Sequence, residues 1–292
     1  AHGESIPNSQ MALYVLPLVA NMMQEPAADI TTMLRDGRID RLQAAVEKQW
    51  NANGWYNRAV LRGVSNQPIM IEGLSLESQV WGLISGAAKQ NNHENNLIER
   101  VEATLDRPSM IGATLSEGGM VWPAVSQLLT WGYTRAGKAN LAWRSLNRNT
   151  FAMHGEQYPA IWFGIWGAPD GINGIQSSLP GGTWVSALTP MTDFPVMNAN
   201  ADSMSLLGLL RVCGIEPSAD GKGLVIRPQV PRKRFVLDTK LIRLEVDGTT
   251  VKGEYRAQFG GTINLYVYAP GSTEMKPFLL AFSAGQRVPF EV

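Results

Sequence analysis

A segment rich in tryptophan, glycine and acidic residues, from position 155 to 200, is the part of the chain best suited to chemistry. It contains Trp162 and Trp166 and three acidic residues, Glu156, Asp170 and Asp193. Sugars present C–H patches on their faces and hydroxyl groups at their edges, so their sites combine flat aromatic rings with carboxylate and amide groups. The segment has few helix or strand signals, and so long a loop in a compact protein is usually functional. We therefore predict a carbohydrate site here.

Each of these candidates has a structural alternative. Trp162 and Trp166 lie four residues apart, so both could belong to one helical turn in the core. Asp170 stands between Pro169 and Gly171, a combination typical of a tight turn. The residues alone leave both alternatives open.

Two further groups of residues could bind a sugar. The first combines Trp55 and Arg58 with Glu72, and its alternative is an ion pair between Arg58 and Glu72 that ties a loop to the start of a helix. The second is Glu117, in the sequence Ser-Glu-Gly-Gly before a predicted helix. The alternative for Glu117 is a capping role, because the helix dipole stabilises a carboxylate at a helix N-terminus.

The histidines do not indicate a metal centre. His2, His93 and His154 lie far apart in the chain, with no carboxylates at matching spacing, so a zinc site is not predicted. The chain also lacks the Gly-x-Ser-x-Gly, P-loop and dinucleotide-binding fingerprints, which removes the commonest serine hydrolase, nucleotide hydrolase and Rossmann interpretations. We predict no metal and no organic cofactor.

The composition excludes some classes of partner. The 292 residues include 25 Lys and Arg and 25 Asp and Glu, without clusters of one sign. Nucleic acid requires several phosphate-neutralising cations on one face and is therefore not expected as a partner. The apolar runs are too short for a membrane-spanning segment of about 20 residues. The single cysteine, Cys213, cannot pair within the chain, which leaves both the cytoplasm and the periplasm open as locations.

Apolar residues at helical spacing dominate up to about residue 214. Leu76, Val80, Leu83 and Ala87, for example, follow one another at steps of three and four, which indicates a helix with one buried face. Seven helices are predicted in this way. They cover residues 9–23, 29–48, 76–87, 94–105, 119–136, 138–148 and 202–213.

The period changes to two from Gly223 onward. Strands are predicted at 224–226, 241–246, 251–255 and 263–268. Asp-Gly, Gly-Gly and Pro-Gly pairs separate them, which is typical of β-hairpin turns. We therefore expect the tail to form a small antiparallel sheet or sandwich.

Several short motifs follow one another along the chain. They are Gly3-Glu4-Ser5, residues 54–59 (Gly-Trp-Tyr-Asn-Arg-Ala), Glu72 to Trp81 with Gln79, Glu117-Gly118-Gly119, Leu146-Asn147, Ile215-Glu216-Pro217, and residues 224–228 with Pro231. In this order and spacing they resemble the C-terminal half of the cellobiose phosphorylase family, glycoside hydrolase family 94. That family includes chitobiose phosphorylase and the phosphorylase-like domain of cyclic β-1,2-glucan synthases. The likeness covers nearly the whole chain.

The resemblance implies a mainly α chain with a C-terminal β part. Residues 1–214 would form part of an (α/α)6 barrel, and residues 215–292 an antiparallel β-sandwich. Such a barrel has twelve helices, of which seven are predicted, and the chain begins with Ala1 rather than methionine. We therefore expect a preceding N-terminal half or subunit as a partner. The family's general acid is the last Asp of a Trp-Asn-Asp motif just upstream of Gly-Glu-Ser, so the catalytic acid is expected on that preceding segment or chain.

The activity that the resemblance implies is cleavage of a β-glucosidic bond with inversion. The substrate would be an oligosaccharide, the reaction hydrolysis or phosphorolysis, and a homodimer is compatible with it. Glu117 carries over as a sugar-binding residue because it matches the Glu of the family's Glu-Asn-Gly-Gly motif. The family holds phosphate through a His soon after Leu-Asn-Pro and through a Gly-Thr-Ala before the last helix. This chain has Thr150-Phe151 and a later His154 at the first position, and residues 198–201 at the second, so inorganic phosphate as a co-substrate stays open.

Water as the nucleophile would require a general base opposite the acid. Asp170 and Asp193 are the preferred candidates, followed by Glu156, because each is acidic and lies in the aromatic segment. The alternative function is that of a non-catalytic carbohydrate-binding protein on a degenerate barrel.

Overall fold

The computed structural model describes residues 2–23, 32, 35–63, 67–161, 169–185 and 199–292. These residues form an α+β fold with nine α-helices and three β-sheets. The helices are α1 (Ile6–Met22), α2 (Arg38–Glu47), α3 (Leu76–Ile84), α4 (Ala87–Gln90), α5 (Glu94–Val101), α6 (Pro123–Arg135), α7 (Ala139–Arg148), α8 (Phe151–Gln157) and α9 (Ala199–Val212). A π-helical turn, Glu102–Asp106, continues α5.

The strands belong to three separate sheets. The first sheet contains β1 (His2–Ser5), β2 (Ala59–Arg62) and β3 (Pro68–Ile71) in the order β1-β2-β3. The remaining strands are β4 (Ile215–Pro217), β5 (Gly223–Ile226), β6 (Arg234–Asp238), β7 (Ile242–Asp247), β8 (Thr250–Arg256), β9 (Gly261–Tyr268), β10 (Met275–Phe282) and β11 (Arg287–Glu291). They form two four-stranded sheets, ordered β10-β9-β5-β4 and β11-β8-β7-β6.

Four helices pack side by side in the order of the chain. Contacts join α1 to α3, α3 to α6, and α6 to α9. The Trp131 ring of α6 meets Tyr14 of α1 at a centroid distance of 5.2 Å and Trp81 of α3 at 6.0 Å. Arg58 contacts Ser5 and Glu77 at the starts of α1 and α3, and Leu76 at the start of α3 contacts Leu115 in the loop that leads into α6. Gln127 and Trp131 of α6 meet Ser205 and Arg211 of α9 in the same order along both helices. The four helices therefore run in the same direction. Their N-termini therefore share one end of the layer, and their C-termini share the other.

The first sheet and the loop before it are fastened to the starts of α1 and α3. β1 leads directly into α1, and the Ile6 amide donates to the Arg58 carbonyl at 3.3 Å. The buried Gln79 side chain of α3 accepts from the Tyr56 amide and donates to the Tyr56 carbonyl, both at 2.9 Å. It also donates to the Ser75 carbonyl at 2.8 Å. Gln79, which belongs to one of the motifs, thus holds the loop before β2 in place.

The two C-terminal sheets enclose a core of their own. Alternation along β7 buries Ile242, Leu244 and Val246 and leaves the residues between them half exposed. This is the pattern expected of a strand with one face on a core. The four strands predicted in the tail are confirmed, each within two residues of its predicted bounds.

The predicted fold class, a mainly α chain with part of an (α/α)6 barrel, is wrong. The described residues form an α+β fold, and their helices do not close into a barrel. The stretch Gly3-Glu4-Ser5, expected to open a barrel helix, belongs to strand β1. Strands of four residues are too short to display alternation, and an apolar stripe shows only that a helix buries one face, not that a ring of helices closes. The domain boundary at residue 214 stays a prediction.

Asp220 organises the connection between β4 and β5. Its carboxylate accepts hydrogen bonds from the Ser218 hydroxyl, from the Lys222 amide at 2.9 Å, from Asn264 Nδ2 at 3.3 Å and from the Tyr266 hydroxyl at 2.7 Å. These donors, Ser218 first among them, lower the pKa of Asp220 from 3.8 to about 2. The turn is thus held to strand β9 by an ionised carboxylate.

We expect Asp220 to contribute to acid sensitivity. Because its pKa is depressed in the folded state, its stabilisation is present above the unfolded-state value near 3.8 and is lost as the pH falls toward about 2. Asp220→Asn should therefore lower the melting temperature at pH 7 and reduce the further loss between pH 4 and pH 2. Melting curves across this range test it, with Asp247→Asn on an exposed strand end as the control. Equal acid sensitivity of Asp220→Asn and the unmodified protein would contradict the assignment.

Candidate functional site

The loops that precede α3 and α6 meet at the N-terminal end of the helical layer. The Leu76 amide, at the start of α3, donates to the Leu115 carbonyl at 2.9 Å, and α6 begins at Pro123. The loop before α6 folds back on itself, because Thr114 and Val121 form an antiparallel bridge and the Leu115 amide donates to the Met120 carbonyl at 2.8 Å. This arrangement brings two of the predicted sugar-binding groups to the same end of the molecule.

Glu117 lies exposed at the tip of this loop. The Gly119 amide donates to the Ser116 carbonyl at 2.9 Å, which closes a turn around it. Gly118 has a φ of +64°, a conformation that favours glycine. The first turn of α6 contains no acidic residue, so the alternative that Glu117 caps this helix is wrong. Its carboxylate is presented to solvent and can accept hydrogen bonds from a ligand.

The second half of the aromatic segment, residues 169–185, packs against the Glu117 turn. Val121 and Ile172 exchange two backbone hydrogen bonds of 2.8 Å each, and Ile172 in turn forms a bridge with Thr183. A Cβ atom on Gly174 would lie only 1.9 Å from the Gly119 carbonyl oxygen, so only glycine allows this approach. The turn and the segment therefore form one continuous surface.

Asp170 lies half-buried where this surface meets α6. Its Oδ1 atom accepts a hydrogen bond from Trp122 Nε1 at 3.1 Å. The neighbouring Gly171 carbonyl accepts from the Trp184 amide at 2.8 Å, and a Cβ atom on Gly171 would lie 3.2 Å from the Cβ of Trp184. The Asp170 carboxylate thus contacts the Trp122 indole, and Trp184 lies beside the next residue, Gly171.

The group formed by Trp55, Arg58 and Glu72 lies at the starts of α1 and α3. Trp55 Nε1 donates to the main-chain carbonyl of Glu72 at 2.7 Å. Arg58 Nε lies 2.7 Å from a carboxylate oxygen of Glu77, and its Nη1 donates to the Ser5 hydroxyl at 3.4 Å. The alternative of an ion pair between Arg58 and Glu72 is wrong, because Arg58 pairs with Glu77 in the first turn of α3. The exposed Glu72 contributes only its main-chain carbonyl. About one third of the Arg58 side chain and one quarter of Glu77 remain exposed.

The remaining predicted site residues belong to the aromatic segment and to the helix that begins it. Glu156 is exposed on α8, and this helix is tied to the 169–185 segment by a 2.8 Å contact between His154 Nε2 and the Gly181 carbonyl. His154, which follows the position of the family's phosphate-binding His, is buried and makes this backbone contact. Trp162, Trp166 and Asp193 lie outside the described residues, so their predicted roles stay predictions.

Sequence reasoning missed three residues of this end of the molecule. Glu77 lies five residues after Glu72, the residue predicted from the sequence. Its position in the first turn of α3 is typical of a carboxylate, but this position does not indicate that Arg58 is its partner. The pairing of Val121 with Ile172 brings Trp122 to Asp170 across a long stretch of sequence. The pairing of Ile172 with Thr183 brings Trp184 beside Gly171.

Two further structural findings concern metals and membranes. Across the described ranges, no three His, Cys, Asp or Glu side chains cluster as a metal ion would require. None of the helices described is both long and apolar enough to cross a bilayer.

Comparison with known proteins gives no match, either to a family model or to a curated protein. The resemblance to the cellobiose phosphorylase family therefore stays a prediction.

The residues of the site themselves indicate what it could bind. Exposed Glu117 and half-buried Asp170 supply acceptors, Arg58 supplies donors, and the indoles supply flat apolar faces, which is the combination that a sugar ring requires.

Proposed function

We propose that this protein is part of a carbohydrate-active enzyme that cleaves a β-glucosidic bond with inversion. The observation that carries the proposal is the surface formed by the Glu117 turn and the 169–185 segment. There a half-buried carboxylate, Asp170, accepts a hydrogen bond from the Trp122 indole, and Trp184 lies beside the neighbouring Gly171. An exposed carboxylate, Glu117, stands on the turn beside them. The proposal requires no closed barrel.

Asp170 would serve as the general base in hydrolysis. Trp122 Nε1–H binds Oδ1 and so fixes the orientation of the carboxylate. Asp170 then takes a proton from water as the water oxygen bonds to the anomeric carbon, from the face opposite the leaving group. The glycosidic C–O bond breaks, and the leaving oxygen receives a proton from the general acid, for which the resemblance implies a preceding segment or chain.

Glu117 would bind sugar hydroxyl groups rather than take part in proton transfer. It is exposed at the tip of a turn, where its carboxylate can accept two hydrogen bonds. Trp122 and Trp184 would contact the apolar face of the ring, and Trp55 and Arg58 would extend the site toward α1.

Hydrolysis and phosphorolysis differ in their product and in their need for phosphate. In phosphorolysis a phosphate oxygen attacks the anomeric carbon and the product is a sugar 1-phosphate, so no base is needed. The natural, full-length protein should be incubated with a β-linked gluco-oligosaccharide with and without phosphate, and the products separated by chromatography. Unchanged release of free sugar without phosphate supports hydrolysis, and sugar 1-phosphate formed only with phosphate supports phosphorolysis.

A second candidate function is carbohydrate binding without cleavage. It is favoured by the hydrogen bond that already engages one oxygen of Asp170, since such a carboxylate can hold a hydroxyl group without transferring a proton. Binding of the oligosaccharide by calorimetry, with no cleavage by the natural, full-length protein, would favour this function over the enzymatic one.

Glu117→Gln should weaken sugar binding by about tenfold or more, because a hydrogen bond to a charged group contributes about 1.5–3 kcal/mol. The melting temperature should stay unchanged, because the side chain is exposed. Calorimetric titration with the oligosaccharide measures the effect. Glu274→Gln, an exposed change in the loop before β10, is the matched control. Equal affinities of the two variants would exclude Glu117 from the site.

A further inference from the structure

A cavity of about 440 Å³ lies at the other end of the helical layer, against the C-terminal sheets. Its walls come from α1, from the ends of α3, α6 and α9, and from residues of β4, β5 and β9. Since α6 has 13 residues that rise about 1.5 Å each, this cavity lies about 20 Å from the loops at the helix starts. It is therefore separate from the proposed sugar site and does not depend on it.

The side chains that line the cavity are unusually rich in positive charge. Among the described residues, the cavity is lined by four cations, Lys89, Arg135, Arg211 and Arg227, and by one carboxylate, Glu216. Glu216 is already engaged, because it accepts from Arg135 Nη1 at 2.9 Å and from Trp131 Nε1 at 2.8 Å. In a chain whose net charge is zero, this leaves a local excess of three positive charges facing an open space.

Arg211 is the most deeply buried of these cations. It is only 9% exposed, and its guanidinium lies 4.6 Å above the Trp131 ring. One of its N–H groups donates to the Ile215 carbonyl, while Nε has no hydrogen-bond partner among the described residues. The carboxylate of Glu216 acts on Arg211 but is shared with Arg135. A buried cation that shares its counterion and has an unused donor favours a further acceptor.

Helix ends do not explain the whole arrangement. Cations are favourable near helix C-termini, and this accounts for Lys89, Arg135 and Arg211 in the last turns of α4, α6 and α9. Arg227 follows a strand, and its guanidinium stacks on the Tyr268 ring at 3.8 Å, which orients it at the cavity wall. Helix and sheet elements thus contribute cations to one space.

We propose that this cavity binds an oxyanion of the phosphate class, held by Arg211, Arg227 and Lys89. Arginine N–H groups match the oxygens of a phosphate, and lysine adds a point charge. A cavity of about 440 Å³ is much larger than a phosphate ion. It therefore has room for an organic group attached to the phosphate, against the apolar wall that Leu13 and Pro17 of α1 provide.

Calorimetry on the full chain tests the proposal, with inorganic phosphate and glycerol phosphate as probes and chloride at equal ionic strength as the reference. The variant Lys89→Gln with Arg227→Gln removes two cavity cations that are exposed enough for the fold to tolerate their loss. The control Lys240→Gln with Arg234→Gln removes the same charge from exposed positions outside the cavity. Melting curves show whether each variant is folded.

The expected result is saturable binding of at least one probe, weakened tenfold or more in the cavity variant and unchanged in the control. Tighter binding of inorganic phosphate would identify a site for the free ion. Tighter binding of glycerol phosphate would identify a site for a phosphorylated small molecule. Absence of binding beyond the chloride reference, or equal weakening in both variants, would overturn the proposal.

Discussion

Asp170→Asn is expected to lower the rate of glycoside hydrolysis by about 10²–10⁴-fold, the usual contribution of a general base. Asparagine retains an oxygen that can accept the hydrogen bond from Trp122 Nε1, so the packing of the segment is kept while the basicity is lost. The free energy of unfolding should therefore change by less than about 1 kcal/mol. Steady-state kinetics of the natural, full-length protein in phosphate-free buffer, together with denaturant unfolding, measure both quantities.

Trp122→Phe is the matched variant for this prediction. It removes the N–H group that orients Asp170 but leaves the carboxylate, so it should reduce the rate less than Asp170→Asn does. A rate for Asp170→Asn equal to that of the unmodified protein would show that Asp170 forms a turn and has no part in catalysis.

Asp106→Ala should destabilise the protein by about 3 kcal/mol, because it removes a buried carboxylate that binds two partly buried arginines and the buried Tyr133 hydroxyl. Asp106 is fully buried, and Arg144 Nη2 lies 2.8 Å from its Oδ2. Arg148 Nη1 lies 3.6 Å from its Oδ1, and the Tyr133 hydroxyl donates to Oδ2 at 3.0 Å. The carboxylate thus joins the turn after α5 to α6 and α7.

Denaturant unfolding compares this variant with Asp247→Ala. Asp247 is paired with Arg234 at 3.5 Å on an exposed strand end, where an ion pair contributes no more than about 1 kcal/mol. If the Asp106 variant lost as little stability as the Asp247 variant, the buried network would have no role in holding the helices together.

Periodicity predicted seven helices and four of the eleven described strands, because it depends on neighbours in the chain. The apolar stripe on α3 and the alternation of Ile242, Leu244 and Val246 each indicate one buried face. The short helices α4 and α8 and the strands β1 to β4 were missed because they span too few residues to show a period. Strands β6, β10 and β11 were also missed, and β10 contains Pro277 and a continuous apolar run that hides any alternation. The way in which helices close or stay open depends on contacts between distant segments, which no local pattern contains.

The candidate site shows the same limit. Its acidic residues could be selected from composition, but their partners could not. Glu77 rather than Glu72 pairs with Arg58, and Trp122 reaches Asp170 across 48 positions of the chain. Both contacts depend on the way the loops fold over the starts of α3 and α6, which sequence spacing does not determine.

The central claim is tested most directly by ¹H NMR of the products that the natural, full-length protein releases from a β-linked gluco-oligosaccharide. The spectrum distinguishes the two anomers before mutarotation mixes them. Inversion at a β-glucosidic bond predicts that the first product has the α configuration, as free sugar or as sugar 1-phosphate. Intact substrate with or without phosphate, or a product that first appears in the β configuration, would contradict the claim.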